Sequence, residues 1–206
     1  MERVHSVINR GIKTRIELEN GSVYALKKNV LSEFPVAEDS EIDEEQFLQF
    51  VRLHQYPEAL NTAVSMLARR ACSRKEIEDR LRRNDFCDDV IELVMYKLEK
   101  ENLLNDQDFS SQWTRYRSSG HYGPNRIYRE LRMKGVDEET AREAVDEIDD
   151  GDRLRMAVDL ALKGFRKARP GEDPRKVQQR VLRTLVQRGF DWDTARSACS
   201  HALSEE

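Results

Sequence analysis

The sequence predicts an all-α protein of three tandem three-helix repeats stacked in a curved array, preceded by a small N-terminal β-hairpin segment. Three observations carry this. Charged residues make up 36% of the 206 positions against only nine glycines and five prolines, which favours helices with solvated charged faces over many short strands joined by turns. A set of apolar positions recurs twice along the chain. Helix-stopping and helix-starting residues fall at equivalent points of the recurrences.

The first segment stands apart. In RIELENGSVYALKK, Asn20-Gly21 separates short runs of alternating polarity, Ile16 and Leu18 before it and Val23, Ala25 and Leu26 after it. Asn-Gly supplies the positive φ angles of a type I′ turn, so a β-hairpin is expected. Glu38, Asp39, Glu41, Asp43, Glu44 and Glu45 then surround the start of a helix carrying Phe47, Phe50, Val51 and His54 at helical spacing. Carboxylates at a helix N-terminus are favoured by its macrodipole. Composition changes at about Pro57, which sets the expected segments: 1–58 for the hairpin and acidic helix, then repeats over 59–104, 105–150 and 151–206, with the first segment separable from the rest.

The repeats follow. Ile77, Leu81, Phe86, Val90, Val94 and Leu98 recur as Ile127, Leu131, Val136, Thr140, Ala144 and Ile148, and again as Val181, Leu185, Phe190, Thr194, Ala198 and Ala202. Each set reads as helix, tight turn, helix: two apolar residues four apart, a break, then positions i, i+4 and i+8 on one face. Gly135 and Gly189 fall in the break, where a left-handed residue ends a helix well, and Asp137 and Asp191 follow as N-caps. Cys87 matches them in the first copy and belongs to a turn. A further helix precedes each pair, through Leu60, Val64 and Leu67, through Phe109, Trp113 and Tyr116, and through Leu154, Val158, Ala161, Leu162 and Phe165. Ser73 to Glu76 forms a capping-box pattern, and Pro124 and Pro174 stand at first helical turns. Units this small bury their apolar faces by stacking on neighbours, which creates surfaces suited to a macromolecular partner.

Several function classes lose support. No stretch approaches the ~20 apolar residues of a membrane span, and the N-terminus lacks the apolar core of a secretory signal, so a cytoplasmic protein is expected. Cys72, Cys87 and Cys199 form no CxxC, and His5, His54, His121 and His201 are scattered, so neither a metal site nor a disulfide framework is indicated and no cofactor is expected. Phosphate-cradling, nucleophile-elbow and HExxH motifs are missing, and paired carboxylates such as Asp88-Asp89 and Asp149-Asp150 lie at helix ends, so no catalytic residue is assigned. Charge is uneven despite a net −4: Arg115 to Lys134 holds six cations against Glu130 alone, and Asp137 to Asp152 holds nine carboxylates against Arg142 alone.

The runs Leu67-x-Arg69-Arg70-x-x-Ser73-x-x-Glu76-Ile77, Leu103-Leu104-Asn105-Asp106-x-x-Phe109 with Trp113 and Arg117, and Gly123-x-x-x-Ile127-x-x-Glu130-Leu131-x-x-Lys134-Gly135-Val136 resemble the RecX family, over roughly Ala59 to Leu203. Two departures stand out. Asn102 replaces a glycine before the turn, and Ser110, expected at a helix flank, replaces a small apolar residue. The resemblance implies a non-enzymatic regulator of homologous recombination, DNA repair and the SOS response. It would bind within the groove of the RecA filament on single-stranded DNA and inhibit its ATPase, strand-exchange and coprotease activities.

The basic zone supplies the expected contact residues: Arg115, Arg117, Arg126, Arg129, Arg132 and Lys134, with Tyr122 in the intervening loop as a ring on which a base could stack. Trp113 and Tyr116 are expected in the core. Two other readings stay open: a helical-repeat adaptor for nucleic acid or protein unrelated to recombination, and a hydrolase or nuclease with an unfamiliar site.

Overall fold

A computed structural model describes residues 1–204, which fall into two compact units divided between Asn105 and Asp106. The first unit opens with strands β1 (Glu2–Arg10), β2 (Lys13–Leu18), β3 (Val23–Lys27) and β4 (Glu41–Ile42) in one antiparallel sheet of order β3-β2-β1-β4. The expected hairpin is β2–β3, and β1 and β4 extend it to a sheet. The turn also differs from expectation: Gly21 is left-handed at φ 85°, Asn20 is not among the positive-φ residues, and Gly21 N–H donates to the Leu18 carbonyl. A single left-handed glycine after an ordinary turn is the wider hairpin loop, and here Asn20 Oδ1 holds it by accepting from Ser22 N–H at 2.9 Å.

Alternation along β2 places Thr14, Ile16 and Leu18 on the buried face, against Phe47 and Val51 of α1 (Glu44–Leu67). Asp43 caps α1 by accepting from Gln46 N–H. The sequence suggests two helices here, but α1 runs unbroken through Pro57, so the boundary expected at residue 58 falls inside a helix. Pro57 removes one backbone donor. Burial on both sides of it outweighs that loss, because Phe47 and Val51 enter the sheet core and Ala59 and Ala63 enter the first repeat's core. Buried Gln55 joins the two layers: its Nε2 donates to the Ala25 carbonyl at 2.8 Å, and its Oε1 accepts from Cys87 N–H at 3.0 Å.

The first repeat is completed by α2 (Arg74–Arg83) and α3 (Asp88–Lys100). Ser73 and Glu76 close the expected capping box, and Cys87 starts α3 without a side-chain cap bond. The second unit holds α4 (Asp106–Ser119), α5 (Pro124–Met133) and α6 (Glu138–Asp146), then α7 (Asp150–Phe165), α8 (Pro174–Arg188) and α9 (Trp192–Ser204). All three copies of the first four repeat positions except Thr140 and Thr194 are buried, from Ile77, Ile127 and Val181 through Phe86, Val136 and Phe190. The break residues Asp85, Gly135 and Gly189 all have positive φ, at 62°, 85° and 99°. Asn102 is also left-handed, at φ 53°, as its place before the turn requires.

Candidate interaction surface of the second repeat

The α4 helix buries Phe109, Ser110 and Thr114. Its inward face is therefore rotated from the expected Phe109, Trp113, Tyr116 stripe: Trp113 is half-buried and Tyr116 is 66% exposed. Ser110, expected at a flank, is fully buried and returns its hydroxyl to the Asp106 carbonyl at 2.6 Å. On α5, Ile127 and Leu131 are wholly buried, which turns Arg129 and Arg132 outward.

Glu130 organises the cations between these helices. Arg117 grips it with two parallel bonds, Nε to Oε2 at 2.6 Å and Nη2 to Oε1 at 2.5 Å. Arg126 Nε donates to Oε1 at 3.1 Å, and Trp113 Nε1 donates to Oε2 at 3.3 Å. Burial works to raise the Glu130 carboxyl, but the bonds from Arg117 and Arg126 outweigh it and hold the group below its ordinary value.

Around this pair runs a ladder of alternating cations and rings. Lys134 Nζ lies 4.1 Å from the Trp113 ring centre, and the Arg117 guanidinium lies 5.6 Å from Trp113 and 3.8 Å from Tyr122. Arg126 and Arg188 of α8 each approach the Tyr122 ring to 4.6 Å. Such contacts are worth about 0.5–2 kcal/mol each, more where water is excluded. Tyr122, expected to offer its face to a base, is therefore occupied by guanidinium groups of the chain itself.

The second and third repeats meet beside the ladder. Gly123 N–H donates to the Arg188 carbonyl at 2.9 Å and Asn125 N–H to the Gly189 carbonyl at 3.1 Å, so unsatisfied donors at the start of α5 pair with unsatisfied acceptors at the end of α8. The backbones touch: a Cβ on Gly123 would lie 2.5 Å from the Gly189 carbonyl carbon, and one on Gly189 would lie 2.4 Å from Arg126 Cβ. Sequence alone does not reveal this joint or Arg188: Gly189 reads there as a helix end and Pro124, beside Gly123, as a first helical turn, with nothing local to join them.

The structure thus brings Arg117, Tyr122, Arg126 and Lys134 into one network and leaves the other three cations outward. Arg129 Nε returns to the Asn125 carbonyl at 3.0 Å, and Arg132 Nη1 to the Val136 carbonyl at 2.7 Å, each keeping further donors for a partner. Arg115 lies apart from the ladder, lining a cavity of about 430 Å³ whose walls include Glu147, Asp152 and Asp159. His121 stands 3.5 Å from Asp159 there, and Arg155 2.6 Å from Asp152. Parts of the adjoining acidic zone have structural work: Asp137 caps α6 and Asp149 caps α7. Among the described residues no cluster of metal-ligating side chains occurs, and no helix is long and apolar enough to cross a membrane.

Comparison with known proteins agrees with this architecture. Residues 59–98, 105–145 and 150–199 match family models for the first, second and third three-helix domains of RecX. The regulatory protein RecX of Chromohalobacter salexigens is 39% identical over 140 residues, covering 68% of this chain and 90% of that protein. That of Corynebacterium efficiens is 35% identical over 153 residues, 72% of this chain and 73% of that protein. A crystal structure of regulatory protein RecX matches the fold across all of both chains with a TM-score of 0.67 at 22% identity. The crystal structure of RecX from Lactobacillus salivarius matches 72% of this chain and 97% of its own, also at 0.67, with 26% identity.

Proposed function

The chain belongs to the RecX family, whose curated relatives are named regulatory proteins, and from that premise we propose that it binds the RecA recombinase filament on single-stranded DNA and inhibits ATP hydrolysis, strand exchange and coprotease activity. The observation that carries the reading is the two-faced α5. Its inner face is anchored by wholly buried Ile127 and Leu131, and its outer face presents Arg129 and Arg132 to solvent. Anchored arginine forks suit carboxylates of a protein surface or phosphates of its DNA, and little order is lost on binding because the helix is already fixed.

Arg115, Arg129 and Arg132 make the direct contacts in this reading. Arg117, Tyr122, Arg126 and Lys134 act as positioning residues, holding α4 and α5 in place through Glu130 and the two rings. The protein works by occupying the filament and not by turnover, and each three-helix repeat adds a helical surface for a macromolecular partner.

The test is to add the purified full chain to RecA of the same organism on single-stranded DNA and follow ATP hydrolysis. A fall in rate at substoichiometric protein is expected. An unchanged rate at saturating protein would overturn the proposal, and metal-dependent nucleolytic turnover by the chain alone would replace it with an enzymatic reading.

A further inference from the structure

The N-terminal sheet carries a second cationic surface that lies outside the family models, which begin at residue 59. Strand register places Arg10 opposite Lys13, and Lys13 opposite Lys27, so three cations form a row across β1, β2 and β3. Cross-strand partners share a face, ~4.5–5.5 Å apart, and like charges so placed are unfavourable. Two residues along β2 the same face carries Arg15, opposite Ile8 and Ala25. The buried face, with Thr14, Ile16 and Leu26, is the other one. The row therefore lies outside the sheet's own apolar core, and its like charges work against the pairing of the strands.

Internal partners offset only part of this charge. Lys27 pairs with Glu58 at 2.9 Å; Lys13 Nζ donates to the Asn84 carbonyl at 2.6 Å and lies 5.1 Å from the Phe86 ring centre. Arg15 reaches Glu17, two residues along β2, only at 3.9 Å. Arg10 and Lys28 have no carboxylate partner among the described residues. Arg10, Lys13 and Arg15 share the wall of a cavity of about 170 Å³ with Phe86, and Asp85 is its one carboxylate. That volume is several times the ~30 Å³ a liquid water occupies. Beside the row stand Ile12, 75% exposed, and Ile8, 43% exposed.

We propose that this face of the N-terminal sheet is a nucleic-acid-binding surface, with Arg10 and Arg15 holding backbone phosphates over the cavity, Lys13 adding to the field, and Ile12 meeting sugar or base. Spacing favours a nucleic acid over an acidic protein: Arg10 and Lys13 occupy strand positions about 5 Å apart across β1 and β2, and Lys13 and Arg15 positions about 7 Å apart along β2, so neighbouring cations can follow successive backbone phosphates. The opposite end of the sheet carries Glu2, Glu19, Glu38, Asp39 and Glu41, so a polyanion is repelled there and drawn to the Arg10 end. This surface is distinct from the α5 arginines and needs no RecA.

The test measures anisotropy of a labelled oligothymidylate with the full chain over a salt series. Arg10→Ala/Arg15→Ala should flatten the log–log salt slope by ~0.7 per contact, ~1.4 in all, and Arg10→Glu/Arg15→Glu should weaken binding at low salt by about tenfold or more. Both are repeated in an Arg129→Glu/Arg132→Glu background so that the helical patch cannot mask the change, with helical circular dichroism confirming the fold. Arg10→Ala alone serves where the pair disturbs the sheet, and should flatten the slope by ~0.7. An unchanged slope in both backgrounds overturns the proposal. Displacement of the oligonucleotide by polyglutamate as effectively as by unlabelled oligothymidylate of equal charge overturns it too, in favour of an acidic protein partner.

Discussion

Replacing Glu130 by alanine tests whether the basic zone is a structural network or a set of independent surface charges. Exposed ion pairs are worth about 0–1 kcal/mol, whereas removing one partner of a buried pair costs about 3–5 kcal/mol because the other charge is left desolvated. The side chains of Arg117 and Glu130 retain 17% and 14% of their exposure, so the orphaned guanidinium regains some water and the lower end, about 3 kcal/mol, is expected. For a unit of this size that lowers the melting temperature by roughly 12 °C or more, at 4–8 °C per kcal/mol. The assay is urea and thermal unfolding, with Glu138→Ala as the comparison. Glu138 pairs with Arg142 at 2.5 Å, but with 55% and 66% exposure, and its loss should be within about 0.5 kcal/mol. Arg117→Met/Glu130→Leu should recover most of the loss, because no buried charge is left unpaired. A Glu130→Ala penalty below about 1 kcal/mol, or a double variant no more stable than the single one, would refute the reasoning.

Other outcomes follow from the same geometry. Because Glu130 titrates below its ordinary value in the folded protein, its stabilisation is fully present above the unfolded carboxylate pKa of about 4.3 and is lost as pH falls through the lower folded value, so Glu130→Gln should flatten the acid limb of a stability–pH curve. Gly189→Ala must hold alanine at φ 99° with its Cβ against Arg126, and should lose about 2 kcal/mol or more in urea unfolding. Ser73→Ala removes one side of a capping box and should lose about 1 kcal/mol by the same measurement. Arg129→Glu/Arg132→Glu should keep the melting temperature nearly unchanged while raising the concentration needed to inhibit RecA ATPase by about 100-fold or more, since each charge-assisted contact is worth about 1.5–3 kcal/mol.

Much of the helical architecture was legible because it rests on periodicity. The positions through Leu81, Leu131 and Leu185 are buried in all three copies, and Asp137 and Asp191 cap the helices they precede. The N-terminal sheet was half legible. Asn20-Gly21 marks a local hairpin, but β1 pairs with β4 across more than thirty residues, and only register encodes such pairing. The continuity of α1 was hidden because Pro57 is a local signal against a helix, and what overrides it is tertiary: Ala59 and Ala63 in one core, Phe47 and Val51 in another. Likewise the close approach of Gly123 and Gly189 joins residues far apart in sequence, and each alone reads as an ordinary helix end.

The basic zone shows why a count of charges along a sequence overstates a binding site. Six cations stand between Arg115 and Lys134 against one carboxylate, which suggests a surface carrying nearly its full charge outward. Glu130 nonetheless takes two arginines, because its two oxygens accept several donors at once, and the Trp113 and Tyr122 rings hold Lys134 and add Arg188 from the next repeat. The residues at helical spacing that face inward are thereby spent on holding α4, α5 and α8 together, and those one step around the helix, Arg129 and Arg132, keep donors for a partner. Spacing relative to the buried Ile127 and Leu131 distinguishes the two groups, and charge density does not. On the sheet Arg10, Arg15 and Lys27 share the face opposite the buried one, and there the home partner decides: Glu58 neutralises Lys27, and Arg10 and Arg15 keep their charge for a partner. A cation's value to a partner depends on what it faces at home, so the two surfaces should differ in salt response: the helical patch through Arg115, Arg129 and Arg132, the sheet chiefly through Arg10 and Arg15.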